Sequence, residues 1–416
     1  MKILALNCGS SSLKYQLFDW TNKDVIANGV VERIGIGDSF IDHKVPAKDF
    51  KKKIKYAIDN HETAIQWIIN ALTTGEGKVI ENMEEISAVG HRVVHGGEHF
   101  KQSVLITDDV INHIAAVTHL APLHNPANLV GIRAGRAAMP KIPHVAIFDT
   151  AFHQSMPEHA YLYPLPYEWY KDFAVRRYGF HGTSHLYVSK RAASLLGKSA
   201  AECNIITLHI GNGVSCAAIK KGLSIDTTMG FTPLAGAVMG TRCGDIDPAI
   251  PMFMMQRLDV GPRYMDNLLN KKSGILGITG KFTDRRDVED AANEGDARCK
   301  LAIEMEAYKL RKCAGEYAFA LGQVDAIVFT AGVGENSGLI RQKTLEGLEF
   351  FGIKIDKEKN MGTFSKHGET EISTPDSKVK VFMIPTNEEL VFVEDVVAII
   401  QDKYEDHTKY PYSFLK

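Results

Sequence analysis

Two short segments constrain this chain more than any other. Asn7-Cys8-Gly9-Ser10-Ser11-Ser12 follows the apolar run Met1 to Leu6, and beyond it Leu13, Tyr15 and Leu17 alternate with Lys14, Gln16 and Phe18. Period-two alternation marks a strand with one face in a core, so the segment predicts strand, tight polar turn, strand. The arrangement recurs far downstream, where Ile205 to Ile210 leads through Gly211-Asn212-Gly213 into Val214 to Ile219. Two copies are too few for a solenoid, whose repeats are short and many. They predict a duplicated domain with one hairpin in each half. A chain of 416 residues is long enough for both halves to bury a core.

Helical patterns fill the space between the hairpins. Thr107 and Asp108 offer an N-cap before Val110, Ile114 and Val117, which share a helical face. Thr183 or Ser184 is expected to cap a helix through Leu195 that stops at Gly197. A long pattern from Asp296 to Leu321 ends at Gly322, ahead of the strand Asp325 to Phe329. The segment from Thr386 reads as a helix returning to the first domain. Mixed strands and helices indicate an α/β protein. The hairpin repeat puts the domains at 1–150 together with 386–416, and at 151–385.

Charge and cysteine usage exclude several classes. Lys plus Arg number 48 against 50 Asp plus Glu, a net charge of -2, without the basic excess of a nucleic-acid binder. Six scattered cysteines with no Cys-x-x-Cys pair point to reduced thiols rather than a disulfide scaffold. The apolar run Ile3 to Leu6 is too short for a signal-peptide core, and no segment nears the roughly 20 apolar residues that span a bilayer. The expectation is a cytoplasmic protein with neither membrane nor nucleic acid as partner.

Both hairpin turns are rich in Gly, Ser and Asn. Such turns expose backbone N–H groups and short hydroxyls that cradle phosphate oxygens. Ser10, Ser12, Asn7 and Lys14 add polar or charged groups at the first, and Asn212 sits between two glycines at the second. Either alone is also an ordinary hairpin turn. Together they favour a nucleotide clamped between two domains. A third glycine motif, Phe329 to Ser337, follows a strand and is placed to open a helix. It lacks the last glycine of Gly-x-Gly-x-x-Gly, since Ser337 stands there. Gly197-Lys198-Ser199 is no P-loop, because Ala192 replaces the first glycine.

Histidines and arginines gather in four glycine- or turn-rich stretches: His91 to Gly97, His119 to Pro126, Arg177 to His185 and Gly240 to Asp245. Any one is more often structural than catalytic, but four in one chain point to a site. His91, His95 and His99 have helical spacing, yet Gly90, Gly96, Gly97 and Val93-Val94 disfavour a helix, so zinc is rejected. A serine hydrolase lacks its Gly-x-Ser-x-Gly elbow. Asp149, closing the apolar run Val145 to Phe148, and Glu388 are the acidic candidates for Mg²⁺, which needs only one or two protein carboxylates.

Taken together, seven ordered blocks resemble the acetate kinase family: NCGSSSLK from Asn7, HRVVHGG from His91, FDTAFH from Phe148, YGFHGTSH from Tyr178, HIGNGVS from His209, FTAGVGENS from Phe329 and PTNEE from Pro385. The resemblance runs nearly end to end. It implies two similar domains of the actin, Hsp70 and sugar-kinase (ribonuclease H-like) type, an interdomain ATP cleft and a homodimer. It further implies reversible transfer of a phosphoryl group between ATP and acetate, by direct in-line attack of the carboxylate, giving acetyl phosphate and ADP. Carried over by motif, Arg92 and Arg242 hold the carboxylate and the transferring phosphoryl group, with Asp149 as a further catalytic residue. His181 supports the transition state with His124 nearby, and Val94, Leu123, Phe180 and Pro233 line the acyl pocket. ATP meets Asn7, Ser10, Ser12, Lys14, His209, Gly211, Asn212, Gly213, Asp284, Arg285, Arg286, Gly332, Gly334 and Asn336. Mg²⁺, or Mn²⁺ in its place, is held by Asn7, Asp149 and Glu388. Arg285 departs from the apolar residue that similar proteins often carry.

The implied chemistry needs no general base. A carboxylic acid has a pKa of roughly 4, so the attacking oxygen is already ionised at neutral pH. What remains is repulsion between anions, which positioned cations relieve. Propionate kinase is the nearest competing reading, because one methylene is worth only about 1–3 kcal/mol of discrimination. Butyrate kinases tend to be shorter. A non-catalytic actin-like nucleotide switch is a different class, against which the paired arginines and the small apolar pocket speak.

Overall fold

Among residues 1–415, which the computed structural model describes, the strands form one sheet in each of two compact units. One unit comprises Met1–Phe152 and Asn387–Ser413, the other His153–Thr386 with the residues from Phe414 on.

The first unit holds β1 (Lys2–Cys8), β2 (Ser12–Asp19), β3 (Asp24–Glu32), β4 (Phe40–Val45), β5 (Phe50–Lys55), β6 (Ile86–Val93), β7 (Val104–Leu105) and β8 (His144–Phe148). Their order is β5-β4-β3-β2-β1-β6-β8-β7. β8 is buried along its whole length, as expected of a parallel strand covered on both faces. β2 buries Leu13, Tyr15 and Leu17 and turns Lys14 outward. β5 carries Lys51, Lys52 and Lys53 at the sheet edge, where charge discourages pairing with other chains.

One sheet face is covered by the helices His61–Thr73 and Asn125–Ala138, which share a core with Leu4, Leu6, Leu13 and Val89. Another core forms under the helix Glu388–Ile400, where Phe392, Val393, Val396 and Val397 pack on Ile3, Ala88, Val145 and Ile147. Gly90 permits that approach, because a Cβ there would stand 2.2 Å from Phe392 Cε1. Each such buried side chain contributes roughly 1.5–3 kcal/mol. Four of them rival the whole stability of a domain, about 5–15 kcal/mol.

The second unit holds β9 (Asn204–Ile210), β10 (Val214–Lys220), β11 (Leu223–Thr227), β12 (Ala326–Thr330), β13 (Thr370–Glu371) and β14 (Lys380–Met383), ordered β11-β10-β9-β12-β14-β13. The helices Gly182–Leu195 and Ala297–Leu321 pack on this sheet. The longer one begins at Asp296, whose carboxylate accepts from Arg298 N and Cys299 N, and ends at Gly322 with φ 79°.

The orders β3-β2-β1-β6-β8 and β11-β10-β9-β12-β14 match strand for strand. In each, the first three strands are antiparallel and the last two run parallel to the central one. This is the duplicated α/β fold that the two hairpins predict, of the ribonuclease H-like type that the resemblance implies.

Two local expectations change. The glycine-rich stretch His91 to Gly97 begins on a strand, since β6 runs from Ile86 to Val93 and carries His91 and Arg92. Its neighbours extend it, since β6 pairs with β1 as far as His91 and with β8 as far as Val93. The cap expected at Thr183 or Ser184 lies inside the first turn instead, because the helix starts at Gly182. His181 takes the cap position in the left-handed region (φ 56°, ψ 28°), with no side-chain cap bond. Strain of this kind in a non-glycine residue tends to occur at functional sites.

Candidate active site

In the first unit the β1–β2 hairpin sets Asn7 opposite Lys14. Its turn is closed by Gly9 N donating to Ser12 O at 2.8 Å, and His61 Nε2 donates to Gly9 O at 2.8 Å from beneath. Ser10 is exposed at the tip and Ser12 opens β2.

Arg92, near the end of β6, makes a bidentate pair with Asp149, which follows β8. Nε donates to Oδ1 at 2.9 Å and Nη2 to Oδ2 at 2.8 Å. Parallel strands ending side by side create this pair. Asp149 is buried, and its charge is the largest influence raising the Arg92 pKa. Burial opposes that rise, and the charges of Glu388 and Glu389 add to it. Arg92, Asp149 and Glu388 thus belong to one charged cluster. The pairing leaves Arg92 Nη1 out of the contact with Asp149.

Two buried asparagines on the helix Asn125–Ala138 hold the chain after β6. Asn128 accepts from Val94 N at 3.1 Å and donates to Cys8 O at 2.8 Å, tying the end of β1 to Val94. Asn125 accepts from His95 N and donates to His95 O. His124 directly precedes that helix, and Leu123 beside it is 67% exposed.

The second unit contains a cavity of about 870 Å³. It is lined by Gly211, Asn212, Asp284, Arg285, Arg286, Gly332 and Asn336 of the expected nucleotide residues, joined by Thr283, Glu289, Val333, Ser337 and Phe364. Four separate stretches of sequence, the last represented by Phe364, therefore meet at one hollow. Gly240 donates its N–H to Asn212 O at 2.9 Å, and a Cβ on it would stand 1.8 Å from Asn212 Oδ1, so only glycine fits there.

Asp284 caps the helix Arg285–Asn293 and pairs with Arg286, whose hydrogen bond is the first cause holding its carboxyl down at about 2. Arg285 turns instead into the protein, where Nη2 donates to the buried Glu306 at 2.7 Å. Its charge is already neutralised, so it offers the cavity a wall rather than a free cation. Gly332, Gly334 and Asn336 lie on the short helix Ala331–Asn336 directly after β12. Glu335 fixes that helix by accepting from Ala331 N at 2.8 Å and Thr386 N at 3.0 Å, and Arg341 Nη1 donates to Gly334 O at 2.9 Å.

Next to Asn212, the position a Cβ on Gly213 would take lies 3.4 Å from Arg242 Nη1 and 3.5 Å from His181 Nε2. These two side chains converge on one point. Arg242 Nη1 donates weakly to Pro233 O at 3.3 Å, and the guanidinium has no carboxylate partner among the described residues. Burial alone lowers its pKa from the usual guanidinium value. A desolvated cation without a counter-ion is a site for an incoming anion. The ring of His181 stacks on His209 with centroids 4.1 Å apart, and Ser184 Oγ lies 2.8 Å from both His209 Nδ1 and Thr386 Oγ1. Phe180 is buried, and its carbonyl accepts from His153 Nε2 at 3.0 Å.

Of the expected acyl-pocket residues, Val94 and Leu123 belong to the first unit, Phe180 and Pro233 to the second. Sequence reasoning missed Asn125, Asn128, Glu289, Glu335 and Phe364. Glu289 stands one helical turn from Arg285, a spacing that could have flagged it. Phe364 has no such signal. Among the described residues no group of three or more His, Cys, Asp or Glu could hold a metal ion. A Mg²⁺ ion requires no such group, since it takes only one or two protein carboxylates.

The Acetokinase family matches this sequence over residues 2–394. An acetate kinase from Geobacter metallireducens is 63% identical over 416 residues, covering 100% of this chain and 99% of that protein. Among solved structures, Porphyromonas gingivalis acetate kinase aligns with a TM-score of 0.93 at 46% identity, over 96% of this chain and 99% of that one. A propionate kinase from Francisella tularensis subsp. tularensis gives 0.87 at 40% identity, over 96% and 99%.

Proposed function

The chain belongs to the acetokinase family, and from that premise we propose that it is an ATP:acetate phosphotransferase, making acetyl phosphate and ADP reversibly. The observation that carries the mechanism is the convergence of Arg242 Nη1 and His181 Nε2 beside Gly213, with no carboxylate among the described residues to quench the arginine. Asn212, next along the chain, lines the cavity, so the phosphate end of a bound nucleotide would lie toward these donors.

An acetate oxygen attacks the γ-phosphorus while the bond to the β-bridging oxygen breaks, and that electron pair leaves with ADP. No proton moves, because the acid is already ionised. Arg242 and His181 meet charge on the phosphoryl oxygens, a contribution of roughly 10³–10⁵ in rate for an arginine in related transfers. Arg92, oriented by Asp149, meets the acid. Val94, Leu123, Phe180 and Pro233 would enclose its methyl group, and His124 would stand nearby. Asn7, Ser10, Ser12 and Lys14 in the first unit, and His209 to Gly213 in the second, would contact phosphates, while Asp284, Arg285, Arg286, Gly332, Gly334 and Asn336 would hold the nucleoside.

Mg²⁺ would be held through Asn7, Asp149 and Glu388, and when bound it screens the phosphate charge. We place the protein in the cytoplasm, as a homodimer. Its six cysteines are free, and no helix among the described residues is long and apolar enough to cross a membrane. Large apolar side chains stand exposed along residues 246–258, including Ile250, Met252 and Phe253, which suits a second copy as cover.

Acetate is preferred over propionate because the full-length relative at 63% identity is an acetate kinase, against 40% for the propionate kinase. A coupled assay of ATP consumption and acyl hydroxamate formation with acetate, propionate and butyrate tests this. Acetate is expected to give the highest kcat/KM. ATP binding without acyl phosphate from any acid would instead favour a nucleotide switch.

A further inference from the structure

Behind His181 runs a chain of three side chains that nothing in the transfer step employs. His181 Nδ1 lies 2.9 Å from Ser215 Oγ, which lies 2.7 Å from His185 Nε2. His185 Nδ1 in turn lies 2.7 Å from Thr207 Oγ1. Ser215, His185 and Thr207 are all 0% exposed, so water does not complete their hydrogen bonding. Each hydroxyl has one proton to give, and a neutral imidazole has one donor and one acceptor nitrogen.

The direction of the chain is decided at its inner end. Thr207 Oγ1 has no hydrogen-bond partner among the described residues except His185 Nδ1. If that nitrogen carried the proton, the buried threonine proton would have no acceptor, which native interiors avoid. Thr207 therefore donates to His185 Nδ1. Burial, with the adjacent rings of His153 and His209, depresses the His185 pKa well below the usual histidine value. The ring is neutral, and its single proton sits on Nε2. That proton goes to Ser215 Oγ, whose own proton is then directed at His181 Nδ1.

We propose that Thr207, His185 and Ser215 are positioning residues that polarise His181 as its Nε2–H tautomer. The nitrogen beside Arg242 is then a donor, as a phosphoryl oxygen requires. Reversing the relay would put a bare lone pair there, facing an anion. This assignment rests on the phosphoryl-transfer reading only for its purpose. The tautomer itself follows from the hydrogen-bond geometry.

The test is a long-range ¹H–¹⁵N correlation spectrum of the full chain with ¹⁵N-labelled histidine. It is recorded without substrate at about pH 8, above the ordinary histidine range. His181→Asn identifies the His181 signals. The expected spectrum shows His181 protonated at Nε2 and unprotonated at Nδ1. In Ser215→Ala that preference is expected to collapse to a mixture, with kcat down about tenfold or more and KM for ATP unchanged. In a His181→Asn background the same change should cost nothing further.

A wild-type spectrum with the proton on Nδ1 overturns the proposal, and needs no variant that must fold. So does a Ser215→Ala protein that keeps the Nε2–H tautomer. A chain that shows the expected tautomer but forms no acetyl phosphate would sink the reaction assignment and leave the relay standing.

Discussion

A guanidinium half-buried with no carboxylate partner among the described residues, as Arg242 is, keeps its charge for whatever anion arrives. Arg242→Ala is expected to lower kcat by about 10³ or more, with the affinity for ATP measured by calorimetry largely kept. Folding stability should hardly change, since no ion pair is broken. Arg92→Ala should behave differently. Besides the loss of turnover, it strands buried Asp149 without its ion-pair partner, at about 1–3 kcal/mol in urea unfolding, discounted because Arg92 is one-third exposed. Equal stability losses in the two variants would contradict this division. Both arginines drew notice in the sequence, because each stands in a short glycine-containing stretch. Their electrical states were not legible there. Pairing with Asp149 joins strands 57 positions apart, and the neutralisation of Arg285 by Glu306 depends on how two helices face each other.

Elements bring those residues within reach, and here backbone clearance matters more than charge. Gly240 and Asn212 come from separate loops that touch with no room for a methyl group. Gly240→Ala is expected to push Asn212 aside, raising KM for ATP about tenfold while destabilising the protein by about 1–3 kcal/mol. An unchanged KM would mean that Asn212 does not meet the nucleotide. Periodicity made most elements readable: the hairpins, the long helix to Leu321 and the helix after Thr386 all carry strong patterns. Boundaries were less so where tertiary pairing overrides local preference. β6 outruns its apolar stretch because strands flank it on both sides, and the helix at Gly182 starts early because His181 adopts a left-handed turn that no propensity favours.

For the whole molecule, the duplication was legible because a hairpin with a polar turn occurs once in each half, while the strand order was not. The last residues escaped notice, although they enclose an acid that governs stability. Asp395 is buried, accepting from Ser103 Oγ at 2.6 Å, Tyr412 OH at 2.7 Å and Tyr404 OH at 3.2 Å. Burial, partly offset by those bonds, raises its pKa to about 6. The folded state thus binds a proton that the unfolded chain, near 4, has lost. The penalty is absent below about pH 4, grows as pH rises, and is complete above about 6. Wild type should therefore lose stability relative to Asp395→Asn across that window in denaturant titrations, and a constant difference would refute the assignment. The first unit is also discontinuous, and its final helix covers Ile3, Ala88, Val145 and Ile147. On the ribosome those side chains are made early and stay bare until the helix Glu388–Ile400 follows them, about 240 residues after Ile147. A nascent chain of this protein emerges with one sheet face unroofed, while the unit encoded in between can close first.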